Sequence, residues 1–151
     1  NLRNFHDQTK LNNLLKTNEK EKKNLGSKIP IVVKVSPDIN DGEINKISDV
    51  LLDNDVEAII ISNTSDSTRD NLTNIQKHQK GGLSGKPIMD KSTQLLNHIH
   101  KNNLSMPLIG VGGVLSKQDF QNKINSGAQL VQLYTGFVVK GTKIGSDILK
   151  D

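Results

Sequence analysis

The sequence predicts an α/β fold, part of a TIM (βα)8 barrel built from four βα units with parallel strands. Three observations predict it. Runs rich in Ile and Val alternate four times with stretches of helical periodicity, the pattern that crossover helices impose on a parallel sheet. Every strand-like run ends in hydroxyl, amide, amine or glycine groups, as strands do at the functional end of such a barrel. The chain has 151 residues, whereas a complete eightfold barrel needs roughly 250, so any barrel here is partial.

Composition narrows the function classes. Hydrophobic residues make up 33% and, even with the 12 glycines added, fall short of the roughly 45–50% of a typical globular domain; the core is expected to be thin or incomplete. Lys and Arg number 20 against 16 Asp and Glu, for a net charge of +4. The two signs are interleaved along the chain, which describes a solvated surface better than a basic stripe for nucleic acid. Three Phe and one Tyr also leave few rings for base stacking. With no cysteine there is no disulfide, thiolate zinc site or cysteine nucleophile in these residues. No apolar run reaches the ~18 residues of a membrane span, and the first six residues are not a signal peptide, so the segment itself is expected to be soluble.

The elements follow in order. Residues 1–28 read as a connecting helix with Leu11, Leu14 and Leu15 on one face, then a charged run, with Gly26 as its stop. The first strand, 29–37, is β-branched and reads as buried on both faces, although Lys34 falls within it and needs an anion or an open strand end. A helix over 38–55 carries Ile44, Ile47 and Leu51 at helical spacing. The second strand, 58–64, passes from Ala-Ile-Ile-Ile to Ser62, Asn63 and Thr64; an Asn offers both donor and acceptor, suited to a planar amide or carboxylate, though Asn-Thr is also ordinary turn chemistry.

A polar loop over 65–80 leads to Gly81-Gly-Leu-Ser-Gly-Lys-Pro87. It is not a Walker loop, because Lys80 stands at the first glycine position and Pro87 replaces the Ser or Thr. A third helix over 91–102 buries Leu95, Leu96 and Ile99. The third strand, 107–113, ends in Gly112 and Gly113, where bare backbone can approach an anion. Leu115 breaks G-x-G-x-x-G, which excludes a dinucleotide fingerprint. Ser116 and Asp119 read as a capping box for a helix carrying Phe120 and Ile124 and closed by Gly127. The fourth strand, 130–136, ends in Tyr134 and Thr135, and a final helix starts near 146. His6 reads as a surface or loop residue, and His98 and His100, two apart on a helix, point apart; no metal site is expected.

Val33-Lys-Val-Ser-Pro-Asp38, Ile61-Ser-Asn-Thr64, Gly81-Gly-Leu-Ser-Gly85, Ile109-Gly-Val-Gly-Gly113 and Leu130-Val-Gln-Leu-Tyr-Thr-Gly136 stand in an order and spacing that resembles the second half of class 2 dihydroorotate dehydrogenase, the quinone-linked flavoenzyme of pyrimidine synthesis. Lys91-Ser-Thr93 is also more similar to class 2 than to the soluble class 1 forms. The resemblance covers nearly the whole chain and implies that residues 29–151 are the last four βα units of an FMN-binding barrel. It implies oxidation of dihydroorotate to orotate, hydride transfer to FMN and delivery of electrons to quinone, in an intact enzyme peripheral on the inner (cytoplasmic or mitochondrial) membrane.

The same resemblance implies roles for single residues. Lys34 contacts the FMN ring; Ser62, where the family usually has Thr, touches FMN; Gly85 and Gly113 let backbone approach it; Tyr134 and Thr135 complete the phosphate site. Asn63 and Thr64 hydrogen-bond the orotate ring. The family's catalytic base is a serine just before a Leu-Arg-Asn segment, and Leu2-Arg-Asn-Phe5 opens this chain, so the base is expected upstream of Asn1. The chain alone is therefore expected not to turn over, and to bind FMN weakly or not at all. Two alternatives stand beside this reading: another FMN- or phosphate-binding barrel, such as a 2-hydroxyacid oxidase, and a noncatalytic half-barrel that serves in assembly.

Overall fold

The computed structural model describes residues 7–67, 69–102 and 105–150. His6 and the Leu2-Arg-Asn-Phe5 segment lie outside the described residues. Four strands, β1 (Val32–Val35), β2 (Ala58–Ile61), β3 (Leu108–Val111) and β4 (Leu130–Gln132), form a parallel sheet in the order β1-β2-β3-β4. Helices α1 (Gln8–Asn24), α2 (Asp41–Leu52), α3 (Met89–Lys101), α4 (Lys117–Asn125), α5 (Thr135–Lys140) and α6 (Ile144–Leu149) connect and flank them.

Register decides what each face of the sheet carries. Val33 aligns with Ile59, and Val35 with Ile61 and Gly110; these residues point at the helices, where Ile59 and Ile61 are fully buried against Ile44, Ile47, Leu51, Leu96 and Ile99. Each such side chain contributes roughly 1.5–3 kcal/mol by leaving water. Because side chains alternate along a strand, the neighbours Lys34, Ile60 and Ile109 face the other way, onto the concave side. A smaller cluster of Val114, Ile144 and Ile148, with Phe120 against it, closes the far end.

The helix starts follow local chemistry. Asp7 caps α1 by accepting from Lys10 N. Asn40 and Glu43 form a reciprocal capping box on α2, which starts the helix at Asp41 and not at 38. The Ser116–Asp119 box forms by half: Ser116 Oγ accepts from Asp119 N at 3.1 Å, but the Asp119 carboxylate reaches Leu115 N at 3.0 Å and Lys86 Nζ at 2.8 Å.

Several expectations are corrected. The first strand is not buried on both faces: Lys34 is exposed and Val32 is 38% exposed, because β1 is a sheet edge among the described residues. Leu14 turns out of the core while Leu11 and Leu15 stay in it. The fourth strand stops at Gln132, and Thr135 opens α5 instead of ending the strand. Beyond those expectations, α4 buries Asp119 and Lys123 most deeply and leaves Phe120 and Ile124 half-buried.

Asp38 ties the loops at the strand ends together. Its carboxylate accepts from Ser65 Oγ at 2.6 Å, Asp66 N at 2.7 Å and Lys91 Nζ at 2.6 Å. Ser65 in turn exchanges backbone hydrogen bonds with Leu83 at 2.9 and 2.7 Å. One carboxylate thus joins the turn after β1, the turn after β2 and the start of α3. Burial resists its ionisation, but the bonds from Lys91 and Ser65 outweigh that and hold its pKa below the ordinary carboxylate value.

Lys123 is fully buried and donates to Ser92 Oγ at 2.5 Å and Thr93 Oγ1 at 2.8 Å, both on α3. Burial outweighs the attraction of Asp119 and Asp90 and lowers its pKa from 10.5 to about 8. The buried Lys123 and the half-buried Asp38 each lead to a pH-dependent outcome. Between pH 8 and 10.5 the unfolded chain holds the Lys123 proton and the folded one releases it, so raising pH through that window favours the folded state. Over it, wild type gains about 3 kcal/mol relative to Lys123→Met, read by denaturant titration across pH. Asp38→Asn is expected to cost about 1 kcal/mol at neutral pH, solvent screening of the Lys91 ammonium keeping the loss small. Because the folded pKa of Asp38 is depressed, that difference is lost as pH falls below the ordinary carboxylate range, which melting curves at pH 7 and pH 3 test.

Candidate active site

A parallel sheet carries all its strand C-termini to one edge, so the segments that follow β1 to β4 meet there whatever their separation in sequence. A cavity of about 260 Å³ lies at this edge. Its lining includes all eight residues named from the sequence: Lys34, Ser62, Asn63, Thr64, Gly85, Gly113, Tyr134 and Thr135.

Each is held differently. Lys34 projects from the concave face of β1, and its exposure removes the burial penalty expected of a strand-interior ammonium; it has no ion-pair partner among the described residues. Ser62 is buried, and its hydroxyl donates to the Asn63 carbonyl at 3.1 Å. Asn63 is exposed and Thr64 half-buried. Thr135 Oγ1 donates to Ser84 Oγ at 3.0 Å, linking the start of α5 to the glycine-rich segment. Tyr134 is 77% exposed, which leaves Thr135 as the better-held donor of that pair.

The glycines are needed for reasons that the sequence does not reveal. A Cβ on Gly82 would sit 1.9 Å from Thr64 Oγ1, so the absence of a side chain at 82 is what lets Thr64 stand in the cavity wall. Gly113 has φ +78°, and a Cβ there would lie 2.3 Å from Met89 Cβ. Its glycine seats the turn on α3, behind the cavity. Gly82, Ser84, Gln132 and the Asp38 hub were not singled out by sequence reasoning as site components; the Gly81-Gly-Leu-Ser-Gly85 run was the signal that held the first two. Gln132 gave none, because it reads as an ordinary strand residue.

The donor set fits a phosphate-bearing planar cofactor: the hydroxyls of Ser84 and Thr135, joined by a hydrogen bond, glycine backbone, an ammonium, a buried hydroxyl and the apolar Ile88, Val111, Val114 and Leu133 all line one cavity. The volume lies just under the roughly 300–1,000 Å³ of complete ligand sites, as suits a wall that holds part of a ligand. Among the described residues no group of three or more His, Asp or Glu is placed to hold a metal, and no helix is long and apolar enough to cross a membrane.

Comparison with known proteins agrees with this geometry. The family model described as dihydroorotate dehydrogenase matches residues 1–151. A relative from Teredinibacter turnerae named dihydroorotate dehydrogenase (quinone) is 41% identical over 123 residues, 81% of this chain and 36% of its own length. One of the same name from Christiangramia forsetii is 37% identical over 149 residues, 98% of this chain and 44% of its own length. The crystal structure of the Eimeria tenella enzyme in complex with ferulenol superposes with a TM-score of 0.90 at 25% identity, over 98% of this chain and 44% of that one. The chain thus spans less than half the length of these relatives. None of these similarities favours a 2-hydroxyacid oxidase or a noncatalytic assembly module. With its cavity, its four parallel strands and its matched sequence all pointing one way, the chain belongs to the dihydroorotate dehydrogenase family.

Proposed function

We propose that these residues form the second half of an FMN-binding barrel in a quinone-linked dihydroorotate dehydrogenase, with 1–28 as the connecting helix and 29–151 as four βα units. The observation that carries this reading is the convergence of the eight residues, drawn from five separate stretches of sequence, on one cavity at the C-terminal edge of the sheet. Bound FMN supplies the hydride acceptor for the C6 hydrogen of dihydroorotate.

Lys34 places its ammonium at the cavity wall, where it would offset negative charge on the ring of a bound flavin. The Ser62 hydroxyl and the backbone at Gly85 face the same ligand, with no bulk to push it away. Thr135 and Ser84, already joined by a hydrogen bond, offer hydroxyls to the phosphate, and Tyr134 and Gly113 complete that end. Asn63 presents donor and acceptor together, and Thr64 a hydroxyl, to the planar substrate. The C5 proton goes to a serine outside these 151 residues, and quinone and the membrane surface are likewise met by other parts of the intact enzyme.

The complete gene product carrying this chain is expected to purify with flavin absorbance that dihydroorotate bleaches and a quinone restores. Absence of flavin, or bleaching by a 2-hydroxyacid and not by dihydroorotate, refutes the reading. Lys34→Met should slow flavin reduction by about 100-fold in a stopped-flow measurement, because a fixed charge is lost where the transition state needs it.

A further inference from the structure

Lys123 is a fully buried cation that the proposed chemistry does not use. Its stem runs beneath β3 because position 110 is glycine: a Cβ there would meet Lys123 Cβ at 3.2 Å and Cδ at 3.3 Å. The ammonium then ends on two α3 hydroxyls, Ser92 Oγ at 2.5 Å and Thr93 Oγ1 at 2.8 Å. This contact lies behind the cavity wall, since Ser92 Oγ packs against the lining residue Gly112.

The two hydroxyls differ in what they touch next. Thr93 Oγ1 donates only back into its own helix, to Met89 O at 2.7 Å. Ser92 Oγ has Met89 O at 3.0 Å and also Gly112 O at 3.4 Å, and a Cβ on Gly112 would sit 2.9 Å from that same oxygen. An oxygen that accepts from an ammonium must turn its own proton away from it, here toward those carbonyls. Gly112 and Gly113 both line the cavity. The glycine turn therefore rests on Ser92, and Lys123 fixes where Ser92 Oγ sits and which way its proton points.

We propose that Lys123 is a positioning residue which, through Ser92, holds the Gly112–Gly113 turn in the geometry that binds the phosphate of a phosphate-bearing ligand. The proposal rests on the reading of this cavity as a phosphate-bearing cofactor's site, and it concerns the phosphate end alone. A lysine that merely knits α4 to α3 would act through Ser92 and Thr93 alike and would not distinguish ligands with and without phosphate.

The test uses the complete gene product and measures dissociation constants for FMN and riboflavin by flavin fluorescence, and for inorganic phosphate by calorimetry. Ser92→Ala and Lys123→Met are expected to weaken FMN by about tenfold, the equivalent of one charge-assisted hydrogen bond, and riboflavin by less than about twofold. Thr93→Val lowers the melting temperature without changing the ratio of the two affinities. Equal losses for FMN and riboflavin, or equal effects of Ser92→Ala and Thr93→Val, overturn the proposal, as does unchanged FMN affinity in Ser92→Ala. A wild type that ignores FMN yet binds inorganic phosphate in a Ser92-dependent way refutes the flavin reading and upholds this one. A wild type that binds neither overturns both.

Discussion

The constraint on which the rest depends is that four short strands run in the same direction. Parallel pairing sends every connecting helix back across the sheet and brings every strand exit to one edge. Residues as distant in sequence as Lys34 and Thr135 become neighbours around one cavity for that reason alone. Side-chain alternation does the remaining division of labour: Val33, Ile59 and Ile61 face the helices, while Lys34, Ile60 and Ile109 face the concave side.

Polar groups placed behind that edge hold it in shape. Asp38 joins the turns after β1 and β2 to α3 through Ser65, the Asp66 amide and Lys91. Asp119 joins the turn after β3 to Lys86, and Lys123 joins α4 to α3 beneath the glycine turn. Loops alone are the mobile part of such a fold. Charge-assisted hydrogen bonds between consecutive units give these loops a defined position, which a site built from loop residues requires. Burial of the ions is tolerable because each has several partners at hydrogen-bond distance.

Much of the fold was legible in the sequence because it depends on period and punctuation. The β-branched runs marked the four strands, and Leu95, Leu96 and Ile99 marked the buried face of α3. Boundaries were less legible. The run from Leu130 to Gly136 reads as strand throughout, yet the chain turns into α5 at Thr135, a change set by packing of Gly136 against Val114 and Ile144. The burial of Lys123 was illegible for a different reason. A lysine among polar neighbours on a helix reads as solvent-facing, and only the space at Gly110 and the hydroxyls of Ser92 and Thr93, all from other elements, bring it inside.

By itself the sequence determined the alternation of strand and helix, the chemical character of each strand exit and, through motif order, the family to which the chain belongs. Those are local properties: they follow from side-chain type and spacing, which neighbours in the chain can express on their own. Only the tertiary structure decided that Gly82 makes room for Thr64, that Gly113 is pressed on Met89 as well as lining the cavity, and that a buried ammonium stands behind the glycine turn. These depend on the distance between segments far apart in the chain, a quantity that exists only once the sheet has set its register.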